Sequence, residues 1–356
     1  MASLFDPLTV GAMELPNRLV MAPLTRNRSR GTVPGDLAVE YYAQRASAGL
    51  IITEGSQPSA RGQGYLDTPG FHSDEQLAGW RRVADAVHGK GGRIVAQLMH
   101  AGRIAHPDNT GGQEIIAPSP IPAPGEMVTA DGSKPHPEPR ELRTEEMPDV
   151  VAEFVTAARN AVDAGLDGVE VHGANGYLLH QFLSPASNQR TDEYGGSPLN
   201  RARLVVEVVR AVADEIGADR VGLRLSPAHN IQGCDETDPG DVEATYTAVV
   251  AGIADLGLAY LSVLAQPRLD LVQRLRKDFG GPFLANDGFG VVTTKATAQA
   301  LLDEDAADGV VVGRPFLANP DLVRRWELDA ELNEPNPATF YGGGAEGYTD
   351  YPFLDG

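Results

Sequence analysis

Within six residues, His172-Gly173-Ala174-Asn175-Gly176-Tyr177 sets an imidazole, an amide and a phenol along one short stretch. A neutral imidazole and an amide can polarise an oxygen, and a phenol can deliver a proton. The preceding residues 168–171 are β-branched and read as a strand, and 178–183 read as the start of a helix. The triplet therefore belongs at a strand end, as a redox or proton-transfer site. His100, His106 and His180 lack comparable companions and read as structural.

Such a site needs elements to hold it. Short β-branched runs recur at 19–22, 50–53, 93–98, 168–171, 221–225, 259–264, 282–285 and 309–312. Several lack strict polar alternation, as parallel strands covered on both faces should. Amphipathic stretches lie between them. From Arg203 to Ile216, the residues Leu204, Val205, Val208, Val209 and Val212 form one helical stripe. Another helix starts at Ser73, with Gln76 completing a capping box. Eight strand–helix repeats predict an α/β fold, a (β/α)8 TIM barrel, as one domain over 1–356 with no linker. Residues 8–15 read as a hairpin under the barrel. Residues 103–143, with seven prolines from Pro118 to Pro139, form a long capping excursion after the third strand, and 335–356 a C-terminal tail.

Reacting groups in such a barrel gather at the C-terminal strand ends. Strand one leads into Pro23, Leu24, Thr25 and Arg26; strand three supplies Gln97, then His100 and Arg103; strand five supplies Arg224. Strand seven leads into Asn286, Asp287, Gly288 and Phe289, and strand eight into Gly313 and Arg314. Glycine turns after the last two strands, with an arginine, suit a phosphate. The plainer alternative makes them tight turns, with Arg314 paired to a surface carboxylate. Arg224, Gln97 and Thr25 match a flat heterocycle rich in carbonyl and ring-nitrogen acceptors. Together with the phosphate turns they favour flavin mononucleotide over a phosphosugar. Gly342 to Gly347 formally matches the dinucleotide pattern G-x-G-x-x-G, but no βαβ unit surrounds it, so it reads as a flexible tail loop.

Composition narrows the classes. A net charge of −20 with no basic run argues against nucleic acid. One cysteine, Cys234, rules out an internal disulfide or an iron–sulfur cluster. The N-terminus shows no secretory pattern and no run suggests a membrane span, so a cytoplasmic protein, monomer or homodimer, is expected. No metal-binding spacing is present.

The chain resembles the Old Yellow Enzyme family along nearly its whole length. The matching segments are Pro16 to Arg26, Gln97 to Arg103, His172 to Ser197, Gly313 to Phe316 with Asn319 to Leu322, and Tyr341 to Pro352. The resemblance implies FMN over the barrel mouth. Pro23, Leu24, Thr25, Gly55, Gln97 and Arg224 would contact its ring system, and Asp287 (through its backbone), Gly288, Gly313 and Arg314 its phosphate. NADPH or NADH would reduce FMN from the same pocket in a ping-pong cycle. His172 and Asn175 would bind the oxygen of an activated alkene, and Tyr177 would be the proton donor. Tyr65, Met99, Ile231, Gln232 and Tyr341 would line the substrate pocket. Thr25 matches the older branch of the family, a second branch having cysteine there. Met99 stands where several relatives have tryptophan, and Asn175 where others have a second histidine. Another FMN barrel oxidoreductase, a nitro or nitrate-ester reductase, and a non-redox phosphate-binding barrel are the alternatives.

Overall fold

The β-branched runs form eight parallel strands that close on themselves in the order β1 to β8. They are β1 (Leu19–Met21), β2 (Leu50–Ile52), β3 (Ile94–Leu98), β4 (Gly168–Gly173), β5 (Val221–Leu225), β6 (Tyr260–Leu264), β7 (Phe283–Asn286) and β8 (Gly309–Val312). The structure is a computed structural model and describes residues 2–354. Met1 and the last two residues of the expected tail, 355 and 356, lie outside the described residues.

Strand geometry sorts side chains into two layers, because successive residues face opposite sides. Leu19, Met21, Ile51, Ile94, Ala96, Leu98, Val169, Val171, Leu223, Val263 and Val312 face outward and pack on the helices. Val20, Leu50, Ile52, Val95, Tyr260, Leu284 and Val311 face the barrel interior. Each fully buried Val, Leu or Ile contributes roughly 1.5–3 kcal/mol. The same parity turns Gln97, Glu170, His172, Arg224 and Ser262 inward, all of them buried. The upper interior is thus polar across β3 to β6, and Asn286 adds an amide at the end of β7.

The hairpin of Leu8–Val10 and Met13–Leu15 plugs the barrel bottom, with Val10, Met13 and Leu15 in the interior cluster. Gly11 makes its tight turn possible at φ +56°; a Cβ there would meet the Asp219 carbonyl oxygen at 2.0 Å. Helix Asp74–His88 starts with the expected box, Ser73 accepting from the Gln76 N–H and Gln76 from the Ser73 N–H. Helix Pro198–Ile216 has Ser197 as its cap and buries the expected valine stripe.

Two regions hold more structure than the local pattern shows, and one of them corrects an expectation. The excursion holds a small antiparallel hairpin, Glu126–Thr129 with Gly132–Pro135, and a two-residue pairing of Ile116–Ala117 with Arg140–Glu141. The glycine-rich 342–347 segment is tied down rather than loose. The Arg26 guanidinium donates to the Gly347 carbonyl at 2.7 Å, and Arg28 to those of Gly344 and Glu346 at 2.9 and 3.1 Å. Tyr348 stacks on Tyr41 beneath them with ring centroids 4.1 Å apart. Among the described residues, no helix is long and apolar enough to cross a membrane.

Candidate active site

His172 lies within β4, which runs on to Gly173 because His172 pairs with Arg224 and Gly173 with Leu225 on β5. The strand therefore extends beyond the expected residue 171. His172 is buried, and desolvation, reinforced by the nearby Arg224 charge, holds its pKa well below the usual value. Its imidazole is neutral at pH 7. Nδ1 accepts from the Ala174 N–H at 3.3 Å, which leaves the proton on Nε2 as a donor.

The next residues form a tight turn. Asn175 takes a left-handed conformation at φ +58°, which asparagine tolerates better than most residues. Its N–H donates to Ser226 Oγ at 2.9 Å and its carbonyl accepts from Gln232 Nε2 at 2.6 Å. Asn175 Oδ1 is buried and unpartnered. Gly176 has φ +83°, and a Cβ there would come within 2.7 Å of Gln232 Cβ. Its N–H donates to His180 Nδ1 at 2.8 Å, and His180 Nε2 lies 3.3 Å from Glu236 Oε1. His180 is structural, as expected: it braces the turn. Tyr177 caps the helix Leu178–Leu183, with its ring edge-on to His172 at 5.1 Å and its phenol 2.9 Å from that of Tyr65. Burial pushes the Tyr177 pKa up while hydrogen bonds from Tyr65 and Gln232 oppose the shift, so the phenol is protonated.

These groups open into a cavity of about 500 Å³ at the barrel mouth. Of the expected residues, Pro23, Leu24, Thr25, Tyr65, Gln97, Met99, His172, Asn175, Tyr177, Arg224, Ile231, Gln232, Arg314 and Tyr341 line it. Gly288 and Gly313 line an adjoining recess with Asn286, Thr293 and Arg314. Gly55 stands just behind: a Cβ there would lie 2.6 Å from Met99 Sδ and 3.3 Å from Gln97 Oε1. Asp287 lines neither space, and burial raises its carboxyl pKa.

Three polar residues of the strand ends turn away. Arg26 holds the tail. His100 is buried beside Glu153, with its pKa lowered to about 3 chiefly by burial. Arg103 donates to the carbonyls of Ile121, Gln232 and Gly233 and so ties the excursion to the pocket wall. Phe289, placed at the end of strand seven but given no role there, also lines the cavity, as do Leu317 and Phe340, which the sequence reading passed over. Phe340, next to Tyr341 and ahead of three glycines, offered a usable signal; Leu317 offered none.

The donor set fits a flavin. Arg224 Nε and Nη1 are buried without partners beneath the cavity, a state that a ligand rich in carbonyl and ring-nitrogen acceptors would relieve. Gly55 leaves Gln97 Oε1 free of a neighbouring side chain. The Gly288, Gly313 and Arg314 recess lies at one end, after β7 and β8, where phosphate groups dock in such barrels.

Comparison with known proteins agrees with that geometry. Residues 3–333 match the NADH:flavin oxidoreductase / NADH oxidase family. The chain is 43% identical to 12-oxophytodienoate reductase 1 of Oryza sativa subsp. japonica over 366 residues, covering 99% of this chain and 93% of the relative. It is 41% identical to 12-oxophytodienoate reductase 2 of Arabidopsis thaliana, covering 99% and 96%. Morphinone reductase in complex with tetrahydroNAD superposes with a TM-score of 0.94 at 46% identity, covering 100% of this chain and 98% of that one. The old yellow enzyme homologue of Zymomonas mobilis gives 0.93 at 42%, covering 99% and 100%. The barrel, the flavin-shaped donor set and these likenesses agree: the chain belongs to the Old Yellow Enzyme family and is an FMN-dependent NAD(P)H ene-reductase.

Proposed function

We propose that His172 and Asn175 hold the activating oxygen of an enone, enal, maleimide or nitroalkene, and that Tyr177 protonates its α-carbon. The carrying observation is the convergence of a neutral His172, the Asn175 side-chain amide and a protonated Tyr177 on one cavity. FMN, when bound, would supply the hydride chemistry, taking reducing equivalents from NADPH or NADH for the β-carbon of the alkene. Negative charge then grows on the substrate oxygen, where the His172 Nε2–H and the Asn175 amide N–H2 would stabilise it. The Tyr177 proton completes the addition, and solvent returns a proton to the phenolate. One hydride and one proton, two electrons and two hydrogens in all, enter the alkene for each NAD(P)H oxidised.

Pro23, Leu24, Thr25, Gly55, Gln97 and Arg224 would hold the ring system of FMN. Gly288, Gly313, Arg314 and the Asp287 backbone would hold its phosphate. Tyr65, Met99, Ile231, Gln232 and Tyr341 would shape the substrate space. A second cleft of about 460 Å³ shares Thr25, Tyr65, Tyr177 and Tyr341 with the first, which supports a shared site for the nicotinamide. The reading supposes a cytoplasmic enzyme, monomeric or homodimeric, acting on small molecules.

Purified protein should be yellow, bleach anaerobically with NADPH or NADH, and regain colour when 2-cyclohexenone is added without oxygen. Bleaching with no return of colour across a panel of enones, maleimide and nitroalkenes would overturn the ene-reductase assignment.

A further inference from the structure

Below the cavity floor lies a carboxylate that no motif singles out. Glu170 stands two residues before His172 on β4, so both face the interior. It is fully buried. In register it pairs with Gln97 on β3 and Gly222 on β5, one inward step beneath Arg224. Its Oε1 accepts from Gln97 Nε2 at 2.7 Å. The Tyr260 hydroxyl lies beside the carboxyl and helps to hold its charge, while Arg224 Nε and Nη1 and Ser262 Oγ have no partner. Burial raises the Glu170 pKa, and the Arg224 charge opposes that shift.

Two consequences follow from charge and hydrogen-bond chemistry. A carboxylate accepts only, so it compels Gln97 to turn its N–H2 downward and its Oε1 toward the mouth, beside Gly55. The amide is thereby presented as an acceptor for a ring N–H. Arg224 is permanently cationic, and a buried cation without a counter-charge is costly. Glu170, one inward step beneath it on the neighbouring strand, is the carboxylate whose charge acts on it.

We propose that Glu170 is a positioning residue for the flavin. It orients the Gln97 amide as an acceptor, and its negative charge offsets Arg224, keeping the reduction potential of bound FMN lower than Arg224 alone would set it. A lower potential favours passing hydride on to the alkene. The inference rests on the reading that FMN lies over Gln97 and Arg224.

The test uses holoenzyme, with the FMN midpoint potential measured spectroelectrochemically and FMN affinity measured by fluorescence quenching. Glu170→Gln keeps an acceptor for Gln97 and deletes the charge. It should favour reduced over oxidised FMN about tenfold, a positive shift of about 30 mV for a two-electron couple. Glu170→Asp keeps the charge but withdraws it by one methylene. It should leave the potential near that of the parent and weaken FMN binding about tenfold. A folded, FMN-loaded Glu170→Gln protein with the parent's potential overturns the charge role. Glu170→Asp binding FMN as tightly as the parent overturns the orienting role, whether or not Glu170→Gln folds. A parent chain that takes up no FMN overturns the flavin reading together with this inference.

Discussion

The phenol oxygens of Tyr177 and Tyr65 lie 2.9 Å apart, with the two rings nearly perpendicular at 88°. One phenol follows β4 and the other the loop after β2, so only barrel closure brings them together. Because either can donate, Tyr65 can share the charge left on Tyr177 after proton transfer. Replacing Tyr177 with Phe keeps the packing against His172 and removes the proton donor. Reoxidation of reduced enzyme by an enone should slow by about 10²–10⁴-fold, while reduction by NAD(P)H proceeds. Anaerobic stopped-flow traces of the two half-reactions separate these outcomes.

Tyr65→Phe should act more mildly and show itself in pH dependence. The Tyr65 hydrogen bond lowers the Tyr177 pKa against the rise caused by burial. Its removal should move the alkaline limb of enone reduction to higher pH, since the phenol then stays protonated further. A limb that moves to lower pH would contradict the shared-proton arrangement.

His172→Ala should lose about 2.7–4 kcal/mol of transition-state stabilisation, near 10²–10³ in rate, with FMN still bound. In the parent, burial and Arg224 keep the imidazole pKa well below its usual value. Protonation begins only at more acid pH, so enone reduction should show no acid limb around pH 6.5. A limb centred there would mean that His172 is solvated and titrates normally.

Glu54 makes a stability prediction. Its carboxyl is buried, and desolvation pushes its pKa from 4.5 up to about 7, opposed by its hydrogen bond from the Arg26 N–H at 3.2 Å. Between pH 4.5 and 7 the folded state holds the proton that the unfolded state has released. Stability is therefore lost as pH rises through that window and is unchanged by this group above it. The difference between Glu54→Gln and the parent should grow in favour of the variant by up to about 3 kcal/mol from pH 4.5 to 8. Urea titrations at several pH values measure it.

Gly176→Ala tests the turn. With φ +83° and a Cβ contact of 2.7 Å on Gln232, alanine should cost about 1–3 kcal/mol. It should also lower enone turnover by displacing Asn175 and Tyr177. A Tm and turnover equal to the parent's would show that the turn relaxes freely.

Much of this molecule is legible along the chain because its signals are local. β-branched runs mark the strands, Ser73 with Gln76 marks a helix start, and His172, Asn175 and Tyr177 sit close enough in sequence to read as one group. Strand ends were less so: β4 reaches Gly173 because its partner β5 continues to Leu225, a fact outside the local pattern. The glycines at 342–347 read as a free loop because their restraints, Arg26 and Arg28, lie more than 300 residues away. Phe340 and Leu317 reach the cavity by the path of the tail and the last helices.

The sequence by itself determined the barrel, the family and the chemical triplet, since these rest on strand spacing and contiguous motifs. Only the tertiary structure decided which polar side chains meet inside the barrel. Alternation names the inward residues of one strand, but register between strands aligns Gln97 with Glu170 and His172 with Arg224. Register follows from closure of all eight strands, and closure is a property of no single segment.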